Sequence, residues 1–366
     1  MIYAISHTTE YKYGDAVSVS HHSAHLTPRE VPSRQRMLST SLKISPEPAV
    51  RLQRTDYFGN SFTVFIVQEP HEALQVESIS TVEVLSKAVP DPAKTPAWET
   101  VRDTCAVQFS EEMLAVTEFV YDSTFIKTSP ELLEFATPSF PPGRTILAGA
   151  IDLTRRINKG FIFDPAATTV STPLRTVLMS RRGVCQDFAH LQIGCLRALG
   201  LPARYVSGYI ETMPPAGKAR LRGADASHAW VAVWCPGLGW IDLDPTNNQI
   251  CGTQHVTVAW GRDFGDVSPL RGVTYGGGNS LLYVSVDVEA QTPDSERTGA
   301  GTRLEGAIAN QPEATGSNTD SESSSTSSGQ VTPIIAAGGT PVVITGGSPS
   351  SSITSLPPGR AGSPAT

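Results

Sequence analysis

Among the five cysteines of this chain, Cys185 occupies a position suited to chemistry. It follows Arg182-Gly183-Val184 and leads into Gln186-Asp187-Phe188-Ala189-His190-Leu191. From Cys185 onward, apolar residues recur at 188, 189, 193, 196 and 199, which is helical spacing. Gly200 stands where such a helix ends and Pro202 blocks its continuation. The pattern predicts a helix of roughly four turns with Cys185 in its first turn. Unpaired N–H groups and the helix dipole favour an anion there. A thiolate is such an anion, so the position suits a nucleophile, and the same N–H groups could hold an oxyanion. Cys195 lies mid-helix among apolar residues and reads as packing, as do Cys105, Cys235 and Cys251.

A nucleophilic thiol needs a base. Two strand-like runs, 228–234 and 240–244, flank Cys235-Pro236-Gly237-Leu238-Gly239, which reads as a hairpin. With the turn centred near 236, His228 faces Asp244 to within about one register step. Opposed residues in such a pair have Cβ atoms about 4.5–5.5 Å apart, close enough for a histidine and a carboxylate to hydrogen-bond. Asp242 is the competing carboxylate; this register sets it across from Trp230, so Asp244 is preferred. Cys185, His228 and Asp244 then read as nucleophile, base and orienting acid. His190 lies five residues past Cys185, turned away from the thiol, and reads as structural. Cys185, His190 and His228 could in principle hold a metal, but no ligand pair has finger-type spacing, and no metal or other cofactor is expected.

The elements that must position these residues give an α+β chain. Residues 1–90 alternate with period 2, at Tyr3, Ile5, His7, Thr9, Tyr11 and Tyr13 and again over 61–67 and 74–79, which predicts an N-terminal antiparallel β domain. Asp56-Tyr57-Phe58-Gly59-Asn60 reads as a turn between strands. Residues 91–145 read as a linker and helical connection. A catalytic core with C-terminal strands is expected over 146–289, with a helix over 146–157, two helical pieces over 174–199 broken near Gly183, and strands over 204–210, 228–234 and 240–244. Residues 290–366 are dominated by Ser, Gly, Thr, Pro and Ala and are expected to be disordered; Ile334-Ile335 and Val342-Val343-Ile344 are islands too short to change that.

The net charge of −7 gives no general attraction to nucleic acid or anionic membranes. The N-terminus lacks a basic-then-apolar leader pattern, and no apolar run is long enough to span a bilayer. Five widely spaced cysteines without a CxxC fit reduced thiols. A cytoplasmic protein acting on a protein or peptide substrate is expected, without nucleic-acid or membrane partners.

The stretches Gly183–His190, Gly200–Tyr209, His228-Ala229-Trp230-Val231 and Gly237–Trp240 leading into Asp244-Pro245-Thr246-Asn247 resemble the transglutaminase-like superfamily. In particular they are similar to bacterial proteins with an added N-terminal β domain. Tyr3–Arg29 resembles that domain and Gly261–Gly272 its C-terminal continuation, so the likeness spans about residues 1–290. It implies a papain-like transglutaminase core with Cys185 as nucleophile, His228 as base and Asp244 as orienting acid. The expected activity is that of a peptidase or amidase working through a Cys thioester. Transfer of a glutaminyl group to an amine, or a non-enzymatic scaffold on the same fold, are the alternatives. Hydrolysis is favoured because no acidic calcium loop of the animal transglutaminase kind is evident. Many relatives carry an acidic residue where this chain has Ala232, which is not a triad position.

Overall fold

The computed structural model describes residues 1–107, 110–211 and 227–291, with the backbone of 330–332 and 342–344. The chain opens on β1 (Ile2–Ala24), in which Tyr3, Ile5, His7, Thr9 and Tyr11 are buried and alternate with less buried neighbours. That alternation lets one face pack while the other stays partly wet. Then come β2 (Gln35–Ser45), β3 (Val50–Thr55), β4 (Ser61–Val67) and β5 (His71–Val84). The turn before β4 is closed by Asp56, whose carboxylate accepts the Asn60 N–H at 2.7 Å.

The helical layer follows with α1 (Trp98–Val107), α2 (Glu111–Thr117), α3 (Pro130–Ala136) and α4 (Ile146–Gly160). The expected linker and helical connection over 91–145 is mostly helix, and it packs as part of the core rather than as a spacer. Val101, Met113, Val116, Ile126, Leu132 and Phe140 are all buried in the same core as the later helices. The helical part of the expected connection is present, and Pro138, Pro141 and Pro142 fall in the break between α3 and α4.

After β6 (Ile162–Phe163), α5 (Leu174–Ser180) and β7 (Arg182–Gly183) comes α6 (Cys185–Ala198), the central helix. Every residue from Cys185 to Arg197 is buried, so α6 is enclosed on all sides. At its start the Asp187 carboxylate accepts the Val184 N–H at 2.8 Å. Gly183 is needed just before it, because a Cβ there would lie 2.6 Å from Asp187 Oδ2. At its end, Gly200 adopts φ +76°, its N–H bonds Arg197 O and the Leu201 N–H bonds Leu196 O. This pair of bonds is the Schellman closure that the Gly200 position implied.

The core sheet is antiparallel and built from β8 (Ala203–Ile210), β9 (Ser227–Cys235), β10 (Gly239–Asp244), β11 (Gln249–Ile250) and β12 (His255–Gly261), in the order β11-β10-β9-β8-β12. α6 packs on β8 and β9. In the hairpin, Cys235 pairs with Gly239 and Leu243 with Val231. The turn is thus centred on Gly237, one residue beyond the expected centre, which shifts the opposed pairs by two. Gly237 and Gly239 at φ +78° and +77° supply the two left-handed positions of this turn.

α7 (Phe264–Val267), β13 (Leu270–Gly276) and β14 (Ser280–Gln291) follow. β14 pairs with β1 from Ile2↔Gln291 to Tyr13↔Ser280, and β13 pairs with the second half of β1. This corrects the expected boundary at 146–289: strands 270–291 belong to the N-terminal sheet, not to the catalytic core. Local pattern identifies a strand but not a partner some 280 positions away. β15 (Gln330–Thr332) and β16 (Val342–Ile344) extend the sheet by pairing with β13 and β14. These six residues of the expected disordered tail run as strands, since the outer edges of β13 and β14 offer unpaired N–H and C=O groups. The remainder of 292–366, Ile334-Ile335 included, lies outside the described residues. Among the described residues no helix is long and apolar enough to cross a membrane.

The two domains share one core. Tyr3 and Ile5 of β1, Val82 and Val84 of β5, and Val286 and Val288 of β14 lie in the same apolar cluster as the helical layer.

Candidate active site

Cys185 stands at the first helical position of α6 and is 8% exposed. His228, at the start of β9, is also 8% exposed, and Asp244, at the end of β10, is fully buried. His228 Nε2 donates to Asp244 Oδ2 at 2.7 Å. In the observed register Asp244 lies diagonal to His228 rather than directly opposite, and the longer reach is bridged by the imidazole itself. With Nε2 committed to Asp244, Nδ1 is the nitrogen left for the Cys185 thiol. Burial works against a charge on His228, but its hydrogen bonds to Asp244 and Cys185, and the charges of both, prevail and raise its pKa from 6.5 to about 10.

Asp244 is held by five donors. Thr246 N and Asn247 N bond Oδ1 at 2.9 and 3.1 Å, while His228, Asn247 Nδ2 and His255 Nε2 reach Oδ2 at 2.7, 2.7 and 3.2 Å. Burial raises its pKa, but these bonds win and hold the carboxyl well below its usual range. Asp242 is engaged elsewhere: Trp230 Nε1 donates to it at 2.8 Å and Arg34, from the N-terminal domain, forms an ion pair with it. His190 Nε2 accepts the Phe264 N–H at 3.1 Å and its ring stacks on Phe125. Burial lowers its pKa to about 4, as befits a neutral structural acceptor.

Cys185 and His228 face a small pocket that lies between the two domains. Val184, Gln186, Tyr205, Ser207 and Phe264 line it from the core, and His7, Thr9, Leu270 and Val284 from the β-domain sheet. His7 is pinned by Tyr209 at 2.9 Å and Thr9 at 3.2 Å, and burial lowers its pKa to about 4. Tyr205 is held protonated by burial and by the nearby Cys185, Asp187 and Asp263. Gly208 pairs with His228 across β8 and β9; a Cβ there would lie 2.1 Å from Val256 O and 2.5 Å from the Trp230 ring. Sequence reasoning missed His7, Tyr205 and His255 as site residues. His7 was visible in the alternation of β1, but only the docking of the domains brings it to the thiol. His255 had no local cue. His228, Asp244 and His255 offer ligand atoms within 4.8 Å of one another, a spacing that could hold a metal ion; in this arrangement Nε2 of each histidine bonds Asp244 Oδ2.

Residues 3–83 match the bacterial transglutaminase-like N-terminal region, and residues 141–245 match the transglutaminase-like superfamily. An uncharacterized protein of Mycobacterium tuberculosis is 43% identical over 296 residues, covering 78% of this chain and 92% of its own length. This chain belongs to the transglutaminase-like superfamily. A protein-glutamine gamma-glutamyltransferase of Pseudomonas aeruginosa is 43% identical over 68 residues, covering 18% of this transglutaminase-like chain and 10% of that protein. The fold is shared with a candidate cysteine protease from Cytophaga hutchinsonii, with a TM-score of 0.60 and 20% identity over 80% of this chain and 92% of the other.

Proposed function

We propose that this transglutaminase-like chain is a cysteine enzyme that cleaves a peptide or carboxamide bond through a thioester on Cys185. The observation that carries this reading is the 2.7 Å bond from His228 to Asp244, with Cys185 as the other partner of the same imidazole. Cys185 Sγ attacks the carbonyl carbon and the carbonyl π electrons move to oxygen. First-turn N–H groups of α6, together with the Tyr205 hydroxyl, receive that oxyanion. The intermediate collapses, the C–N bond breaks, and His228 gives its proton to the departing amine. Water then enters, His228 takes one of its protons, and the oxygen adds to the thioester carbon; the C–S bond breaks, the carboxylic acid leaves, and the proton on His228 again faces the freed sulfur. Asp244 keeps the His228 proton on Nε2 and leaves Nδ1 to serve the sulfur.

A second reading is favoured by the likeness to the Pseudomonas aeruginosa gamma-glutamyltransferase, which spans 68 residues. There an amine replaces water and the product is an isopeptide or substituted amide. Mass spectrometry of a peptide library incubated with and without a primary amine separates the readings. Cleavage or deamidation means hydrolysis, and mass gain by amine incorporation means transfer. Absence of both, with Cys185→Ala labelling like wild type by an electrophilic amide probe, would leave a non-enzymatic scaffold and overturn the proposal.

A further inference from the structure

A second cleft, larger than the cysteine pocket, opens between the domains and shares no lining residue with it. Arg34 and Leu85–Pro90 wall it from the β domain, and Arg204, Trp240, Asp242, Cys251 and Trp260 wall it from the core. Arg204 and Tyr205 are consecutive in β8 and point to opposite faces of the sheet, so one serves this cleft and the other the cysteine pocket.

Arg204 is 8% exposed, yet its guanidinium donates no hydrogen bond to any described residue, and its Nε is buried without a partner. The rings of Trp240 and Trp260 lie against it, their centroids 4.4 and 3.7 Å from the guanidinium carbon. Such stacking leaves the N–H donors at the edge of the fork without acceptors. The nearest carboxylate, Asp242, is already taken by Arg34 and Trp230. Arg34 in turn leaves Nη2 buried and unpartnered. Two guanidiniums therefore share one carboxylate. Buried charges are ordinarily paired, and buried N–H donors ordinarily have acceptors, so this arrangement lacks a negative group.

We propose that this cleft is a second ligand site that receives an oxyanion, a carboxylate or phosphate group of a small molecule, on the edges of Arg204 and Arg34. The fork of arginine matches both groups through paired N–H bonds. Trp240, Ile241 and Ile250 give the remainder of the ligand an apolar wall, and the cleft has room for more than the anionic head. Burial and the neighbouring Arg29 and Arg34 lower the Arg204 pKa to about 9, partly offset by Asp242; an arriving anion would push it back up. Because Asp242 and Asp244 sit on one short strand, an occupant would also bear on the frame that holds the orienting acid.

The test uses the full chain titrated with inorganic phosphate in one arm and succinate in the other, against sodium chloride at matched ionic strength. Tryptophan fluorescence and the Arg204 Nε–H resonance report binding. A saturable change with either probe is expected, and the arm that responds names the anion. Arg204→Lys keeps the charge but loses the fork, so it should weaken binding about tenfold or more while iodoacetamide labelling of Cys185 stays as in wild type. No saturable response beyond the chloride control, or equal binding by Arg204→Lys, would overturn the proposal. The resonance needs no mutation, so a variant that failed to fold would still leave the wild-type titration to decide.

Discussion

Replacing Asp244 by Asn keeps the shape of the side chain and removes its charge. Its Oδ1 face receives the backbone N–H groups of Thr246 and Asn247, so the amide oxygen stays there. The new NH₂ then meets His228 Nε2, His255 Nε2 and Asn247 Nδ2, all of which had been donors. His228 can relieve its part only by accepting at Nε2, which moves its proton to Nδ1, toward the sulfur. That is the wrong tautomer for a base, and such an exchange costs about 10⁴-fold in turnover. The charge matters too. A rise from 6.5 to about 10 represents about 5 kcal/mol of preference for the imidazolium, to which Asp244 is the first contributor in the raising direction. Without it, burial dominates and His228 becomes neutral at pH 7. The charge is read on His228 itself, by the pH dependence of its imidazole proton resonances between pH 6 and 9. In wild type the ring should stay protonated across that range, and in Asp244→Asn it should be neutral at pH 7. A variant whose His228 is still protonated at pH 7, or whose turnover is within threefold of wild type, would refute the reasoning.

Acid should unfold the protein early. His7, His22 and His190 have folded pKa values lowered by burial to about 4, below the unfolded 6.5, so the unfolded state binds more protons and stability is lost as pH falls from 6.5 to 4. Each accounts for about 3 kcal/mol at the limit; calorimetry should show Tm dropping steeply over that window, and a flat profile would contradict neutral burial. The raised pKa of His228 acts in the other direction: its stabilisation is complete below 6.5 and is lost progressively as pH rises from 6.5 to about 10, so Tm should also fall across that window. Tyr205→Phe should cut kcat by about 10²-fold with little change in KM if the hydroxyl receives the oxyanion, and an unchanged kcat removes it from that role. His255→Phe deletes a 3.2 Å bond to Asp244 but also a buried Nδ1 without a partner, so Tm should hardly move while kcat falls about tenfold through looser positioning; a large Tm loss with normal kcat would make it purely structural.

The helix bearing Cys185 could be read from sequence because its signals are local: apolar period, a glycine where φ must be positive, and a proline beyond it. The hairpin was readable for the same reason, and the pairing of His228 with Asp244 survives a register two residues different from the expected one. The same side-chain parity and the reach of an imidazole explain why. What stayed hidden depends on long-range docking. Nothing near Arg34 marks it as the partner of Asp242, 208 positions later. His7 and Thr9 showed only as members of an alternating strand. The membership of 270–291 in the first sheet follows from a complementary face, with Val286 and Val288 beside Tyr3 and Ile5, and that complementarity has no single-strand signature.

The pairing of Ile2 with Gln291 also orders the protein in time. On the ribosome, β1 is made first and finds β4 and β5 soon afterward, but its other edge must wait until β13 and β14 emerge. At about 5–20 residues per second that edge stays open for roughly ten seconds or more. Leu270 and Val284, which wall the cysteine pocket, arrive with those late strands. A partly synthesised chain thus holds its thiol and histidine with one side of the pocket missing. β13 and β14 emerge after the elements that carry Cys185 and His228, so the wall they add is the last part of this pocket to be made.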